Sequence, residues 1–257
     1  MSQPGDFVVA IPARFGSQRL PGKPLSQIGG EPMVLHVARR ALDAGAREVV
    51  VATDDERIVQ ALNGSGIRAL MTRSNHASGS DRLAECARLC EWSDDTIVVN
   101  LQGDEPLAPV SGIRAVALAL AQSNSPMATL ATPFSSAEEF TNPNYVKVAI
   151  GQNGQALYFS RAPIPWARDA FANSMKTLPD GFPFLRHIGI YAYRAAFLRT
   201  FSTLKPTPLE KTELLEQLRA LEHGYAIAVS IAPEAFPAGV DTPEDLARVR
   251  AVVEARM

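Results

Sequence analysis

Cysteine is scarce in this chain: only Cys86 and Cys90 occur among 257 residues. Two thiols exclude a disulfide framework, and without a third cysteine they lack the ligands of a structural zinc site. Their spacing in SDRLAECARLCEW reads as one face of a helix, where free cysteine behaves as a small buried hydrophobe. Long apolar runs are missing too, and nothing approaches the ~18 residues of a membrane span. The opening residues, MSQPGDFVVAIPARF, have no basic stretch and only a short apolar one, unlike a signal peptide. A soluble, cytoplasmic chain without membrane insertion is therefore expected. Nor does one charge dominate, since 25 Lys+Arg oppose 27 Asp+Glu for a formal charge of −2. A dedicated nucleic-acid binder carries a basic excess, so no nucleic-acid partner is expected and anion recognition must be local.

What the chain does contain is an alternation of short apolar runs and helical patterns. Phe7–Ile11, Glu48–Thr53, Ile67–Met71 and Thr96–Leu101 read as buried strands. Pro32–Ala44, Asp55–Leu62, Ser80–Cys90 and Val110–Ala121 read as helices between them. Continuously Val/Ile-rich strands separated by helices imply a parallel sheet covered on both faces. The first ~130 residues are thus expected to be a doubly wound α/β unit, with ligands at the carboxyl ends of its strands. Beyond it, Met127–Thr132, Tyr145–Ile150, Ala156–Ser160, His187–Tyr193 and Ala226–Ile231 read as strands, with a hairpin signal at Asn153-Gly154. Helices are expected at Ala195–Leu204 and Pro208–Glu222, and a last one after the N-cap sequence Thr242-Pro243-Glu244-Asp245. Pro163 to Pro183 reads as an irregular excursion. With no repeat or long linker, residues 1–257 read as a single α/β domain with an inserted hairpin region.

The loop after the first strand, PARFGSQRLPGKPL, carries Arg14, Arg19 and Lys23 and no acidic residue. Cations and exposed backbone N–H groups beside shaping glycines and prolines suit a polyphosphate. The alternative is a solvated surface loop. It is not a Walker A loop, because Ser17 replaces the first glycine and Pro24 the Ser/Thr. The G-x-G-x-x-A string at Gly64–Ala69 precedes a strand, whereas a dinucleotide fingerprint follows one.

PARFGSQRLPGKPL, NLQGDEP, ALYFSRAPIPW, LRHIGIYAYR and GVDTPEDL, in this order over nearly the whole chain, resemble the 3-deoxy-manno-octulosonate (KDO) cytidylyltransferases. The resemblance implies a nucleotidyltransferase (Rossmann-like) sheet, mostly parallel, with an inserted hairpin and dimerisation region. Residues of about 1–130 would then be the nucleotide-binding half and about 131–257 the sugar-binding and dimerisation half. It also implies Mg2+ dependence, a homodimer, and the reaction CTP + KDO → CMP-KDO + diphosphate, a step towards lipopolysaccharide. Ala172–Pro183 matches the family least.

The resemblance assigns Arg14 and Lys23 directly to the triphosphate, and Asp104 and Asp241 together to Mg2+; these four are the expected catalytic residues. Taken alone, each aspartate reads sooner as a turn or cap residue, and the resemblance reverses that preference. Asp55 is expected to cap the following helix, with Asp54–Asp55 as a metal motif the alternative. Thr72, Arg73 and Ser78 form the expected base-recognition segment, where hydrogen bonds could separate cytosine from uracil, while His76 reads as a loop histidine. Gln102 is assigned to both substrates. An acid sugar needs a carboxylate partner, and Arg161 suits bidentate recognition. His187 and Tyr191, four apart in a strand, share a face and could meet sugar hydroxyls, as could Glu216 and Gln217. No general base is evident, and a metal that lowers the pKa of the attacking hydroxyl would make one unnecessary.

Rival readings differ at identifiable points. A cytidylyltransferase for another acid sugar, such as a sialic acid or amino-KDO, is disfavoured by FSRAPIPW and HIGIYAY. A metal-dependent glycosyltransferase needs a D-x-D motif that GDEP lacks. An inactive nucleotide-binding module should have lost some of Arg14, Lys23, Asp104 and Asp241, yet all are present.

Overall fold

Val/Ile-rich runs become strands because β-branched side chains pack well on a pleated surface buried on both faces. The computed structural model describes residues 6–16, 19–172 and 174–255. Its first elements are β1 (Phe7–Ala13), β2 (Gln27–Ile28), β3 (Glu31–Pro32), α1 (Met33–Asp43), β4 (Glu48–Thr53), α2 (Glu56–Leu62) and β5 (Arg68–Met71). Next come α3 (Gly79–Leu89), β6 (Ile97–Asn100), α4 (Val110–Ala121), β7 (Met127–Pro133), α5 (Ala137–Thr141), β8 (Lys147–Ile150) and β9 (Ala156–Ser160). The last are β10 (Leu185–Arg194), α6 (Ala195–Phe201), α7 (Pro208–Glu213), α8 (Gln217–Glu222), β11 (Ile227–Ile231) and α9 (Pro243–Glu254).

The main sheet runs β11-β7-β10-β6-β1-β4-β5, with β8 paired to β10 and β9 to β8. β6, β1, β4 and β5 are mutually parallel, as β11 is to β7. Val9 stands between Val49 and Val99. Alternate residues of β1 feed two cores. Phe7, Val9 and Ile11 pack with Val34 and Val37 of α1 and Ile113 and Val116 of α4. Val8 and Ala10 pack with Leu83 and Cys86 of α3 and Leu198 and Phe201 of α6. Helices thus cover both faces, and the chain has the doubly wound α/β class.

Three departures from the sequence reading have physical causes. First, β10 enters between β6 and β7 antiparallel to both, and carries the sheet from one half of the chain into the other. Second, the helix expected over Pro208–Glu222 breaks, with Leu214 in the left-handed region at φ 53°. Tertiary bonds stop it: the Glu213 carboxylate accepts from Ser160 Oγ (2.6 Å) and Arg161 N (2.9 Å), and its carbonyl accepts from Arg161 Nε (2.7 Å). Third, α5 forms where no helix was expected, its end capped by Ser136 accepting from Glu139 N. Residues 163–183 hold no helix or strand among those described, and Phe171 sends its ring into a cluster with Phe134, Phe140 and Phe184.

Candidate active site

At the carboxyl ends of β1 and β6 the parallel strands end in loops that enclose a cavity of about 670 Å3. Its lining includes Arg14, Arg19 and Lys23 from the first loop, Ser78 just before α3 and Arg82 in it, Gln102 and Asp104 after β6, and Asp241 before α9. Gly22, left-handed at φ 67°, opens the turn that carries Lys23, and its N–H closes the loop onto Phe15 O. The Lys23 ammonium then donates to Asp104 Oδ2 (2.6 Å), Val240 O (3.0 Å) and Asp241 Oδ1 (3.1 Å). All three of its N–H donors are used, so it is aimed rather than free. Arg19 reaches the same Asp241 oxygen at 3.1 Å, while Arg14 is exposed on the rim. Gly103 lets the Asp104 turn lie against β1, since a Cβ there would sit 2.9 Å from Pro12 O.

Two carboxylates in contact with one ammonium are a hard-oxygen pair already arranged around a cation. Among the described residues no group of three or more His, Cys, Asp or Glu is placed to hold a metal, so this pair is what the cavity offers. Glu105 follows Asp104, and burial beside that charge raises its carboxyl to about 8.

Ser78 caps α3, accepting from Asp81 N at 3.2 Å. Thr72 is buried and its hydroxyl is committed, donating to Thr53 O (3.0 Å) and accepting from Arg82 Nη1 (2.6 Å). Arg82 also holds Asp54 at 2.7 Å, whereas Asp55 caps α2 by accepting from Arg57 N. Asp54–Asp55 is therefore an ion-pair partner and a helix cap. Arg73 lies outside the cavity lining, 3.4 Å from Glu85. Glu85 also takes the Arg73 N–H (3.0 Å) and His76 Nε2, and so fastens this loop.

Arg161, His187, Tyr191, Glu216 and Gln217 lie outside that lining, and His187, Tyr191 and Glu216 form a second group. Arg161 spends its guanidinium on the carbonyls of Glu213 (2.7 Å) and Pro143 (3.1 Å). Its own carbonyl receives the Lys147 ammonium at 2.8 Å, and burial lowers the pKa of that lysine. His187 and Tyr191 have ring centroids 5.4 Å apart, with His187 edge-on to Phe159 and 3.0 Å from Thr129 Oγ1. Burial pushes His187 down to about 3 and Tyr191 well up, so both are neutral at pH 7. Glu216 accepts from Ser80 Oγ at 2.9 Å and burial raises its pKa, its Oε1 lies 4.0 Å from Arg219 Nη2, and the Gln217 amide nitrogen is buried without a hydrogen-bond partner. The two groups adjoin, because Ser78 and Ser80 reach Glu216 and Gln102 donates to Asn100 beside Tyr191.

The profile of the cytidylyltransferase family matches residues 8–230. The 3-deoxy-manno-octulosonate cytidylyltransferase of Stenotrophomonas maltophilia strain K279a is 61% identical over 97% of both chains. The chain belongs to the 3-deoxy-manno-octulosonate cytidylyltransferase family. A relative of the same name from Xylella fastidiosa strain 9a5c is 59% identical over 96% of each chain. The structure of a CMP:2-keto-3-deoxy-manno-octonic acid synthetase complexed with CTP superposes with a TM-score of 0.88, at 42% identity over 98% of this chain and 100% of that one. A nucleotidyl transferase from Methanothermobacter thermautotroptrophicus shares the fold at 16% identity, with a TM-score of 0.61.

Within this cytidylyltransferase scaffold, seven residues singled out from sequence share one cavity: Arg14, Arg19, Lys23, Ser78, Gln102, Asp104 and Asp241. Thr72 and Arg73 flank it, and of the five sugar candidates Glu216 and Tyr191 adjoin it. Sequence reading missed Arg82; His76, read as a loop histidine, also lines the cavity. Arg82 was legible in principle, because it lies one helical turn beyond the Ser78 cap and so faces the same way. Glu85 as the anchor of His76 carried no local signal.

Proposed function

We propose that this chain transfers CMP from CTP to the acid sugar 3-deoxy-manno-octulosonate, releasing diphosphate, as a step in lipopolysaccharide synthesis. The observation that carries the reading is the convergence of Lys23, Asp104 and Asp241 in one cavity of a chain 61% identical to a cytidylyltransferase of that name. Displacement at the α-phosphate asks little covalent work of a protein, so positioning and charge dominate. Arg14, Arg19 and Lys23 offset the triphosphate charge. Arg161 supplies the positive charge for the sugar carboxylate. Neutral His187 and protonated Tyr191 offer hydrogen bonds to hydroxyls, and Glu216 and the Gln217 Nε2, which has no hydrogen-bond partner, offer two more.

Asp104 and Asp241 fit magnesium: they are hard oxygens meeting at one cation, and Mg2+ is commonly held by one or two carboxylates plus substrate phosphates. Bound there, the ion would neutralise triphosphate charge and lower the pKa of the attacking hydroxyl. A homodimer through the 163–183 excursion is part of the proposal, since Trp166 and Phe182 leave 55% and 53% of their surface uncovered there. Light scattering reads the resulting mass. The reaction is placed in the cytoplasm, where nucleoside triphosphates are made. Diphosphate release with CTP and each of KDO, amino-KDO and a sialic acid tests the function. Release with KDO alone or best supports it, and preference for the sialic acid overturns it.

A further inference from the structure

Asp241 sits on the segment between β11 and α9, which has no helix or strand of its own. Such a segment places a carboxylate accurately only if something holds it from outside. Its attachments can be traced. Ala232 N donates to Ala131 O at 2.8 Å, and Ser111 of α4 donates to Glu234. Arg248 of α9 donates to Ala238 O (2.9 Å), and Val240 N donates to Asp104 O (2.8 Å). The apolar anchor between them is Phe236, packed against the main core over Gly112 of α4.

That contact is unusually close. A Cβ on Gly112 would lie 2.1 Å from Phe236 Cζ and 2.4 Å from Cε2, so the ring fills a notch that only glycine leaves in the helix. Three residues on, a Cβ on Gly239 would lie 3.1 Å from Asp104 O. The segment is therefore pressed against α4 on one side and against the Asp104 turn on the other.

We propose that Phe236, seated in the Gly112 notch, is a positioning residue that sets Asp241 against Asp104. It touches neither substrate and acts through the backbone of residues 236–241. The inference rests on the reading of Asp104 and Asp241 as the cation pair. Supports of a metal site are worth about 10- to 100-fold in metal affinity, and a side chain that acts through five residues of backbone belongs at the low end.

The test measures binding without turnover. Mn2+·CTP is titrated against the enzyme with no sugar present, read by water-proton relaxation, and metal-free CTP is titrated in EDTA by calorimetry. Phe236→Ala is expected to weaken Mn2+·CTP binding by about 10-fold and to leave metal-free CTP binding within about 2-fold. Phe236→Leu, which refills the notch in part, is expected to recover most of the loss. Gly112→Ala keeps the phenylalanine but evicts its ring, and is expected to behave like Phe236→Ala even if the latter folds poorly. Equal weakening of both titrations, or a lowered Tm with normal Mn2+·CTP binding in the folded variants, overturns the proposal. Asp241→Asn separates the two levels. If it leaves Mn2+·CTP binding unchanged, the cation-pair reading itself falls. If it abolishes that binding while Phe236→Ala and Gly112→Ala do not alter it, only the role of Phe236 falls.

Discussion

The two adjoining groups of polar residues are built on opposite principles. Around Lys23 the groups are charged, partly exposed and paired with one another, with side-chain exposure of 16% for Lys23, 30% for Asp104 and 50% for Asp241. Around His187 charge is absent from the rings themselves: His187 and Tyr191 are neutral, and His187 Nε2 lies 3.0 Å from Thr129 Oγ1. An ion pair in contact with water can exchange partners when a polyanion arrives, because its desolvation is small. A buried neutral group cannot, but it presents a fixed donor or acceptor to an uncharged hydroxyl at no charge-burial cost. Triphosphate and sugar thus call for different construction, and the molecule uses one at each end.

The comparison breaks most sharply at the carboxylates. Asp104→Asn and Asp241→Asn should each reduce turnover by about 10²–10³-fold, with Tm nearly unchanged. The double variant should lose little more, since one site is broken twice. Full activity in either single variant at saturating substrates would remove the charged corner from the chemistry.

Next in size is Lys23. Lys23→Ala leaves two carboxylates facing one another with only Arg19 beside Asp241. It should depress kcat about 10²-fold as well as raise the KM for CTP. Lys23→Arg should rescue little, because a planar fork does not replace a compact ammonium with three acceptors around it. Steady-state kinetics with varied CTP at saturating sugar separates this from simple attraction of CTP, which would raise KM alone.

Arg161 tests the other side. Arg161→Ala should raise the KM for the sugar acid about 10- to 150-fold, the equivalent of roughly 1.5–3 kcal/mol for a charge-assisted hydrogen bond, and leave the KM for CTP in place. Because its guanidinium also holds the carbonyls of Glu213 and Pro143, a modest fall in Tm should accompany the change. An unchanged sugar KM would put the carboxylate partner elsewhere.

The smallest effect concerns the burial of His187. Its folded pKa of about 3 lies below the ordinary 6.5, so between these values only the unfolded chain takes up the proton. Its contribution to stability is complete above pH ~6.5 and is lost as pH falls toward about 3. Melting curves of the wild type between pH 7 and pH 5 should fall a few °C further than those of His187→Gln. Parallel curves would mean that the imidazole is not buried as described.

Much of this was legible locally. Strands Glu48–Thr53 and Ala156–Ser160 and helix Val110–Ala121 have the limits their sequence pattern implies, and Asp55 and Thr242 cap the helices they were expected to cap. The break at Leu214 was not legible, because no glycine or proline marks it and the bonds that end α7 come from Ser160 and Arg161 on another element. Thr72 was expected in the base-recognition segment, but that its hydroxyl is spent on Thr53 O and Arg82, partners 19 and 10 residues away, was not legible.

Periodicity, caps and turn residues act over a few positions, so the sequence by itself determined most of the segments that are helix or strand and that cations crowd the loop after β1. The tertiary structure alone decided that β10 runs backwards through the middle of the sheet. It also decided that Lys23 meets Asp104 and Asp241, 81 and 218 residues away. The reason is that such contacts are choices among many partners of equal local merit. They are resolved only when the whole apolar surface is buried at once and each remaining charge must find the opposite charge left nearest to it.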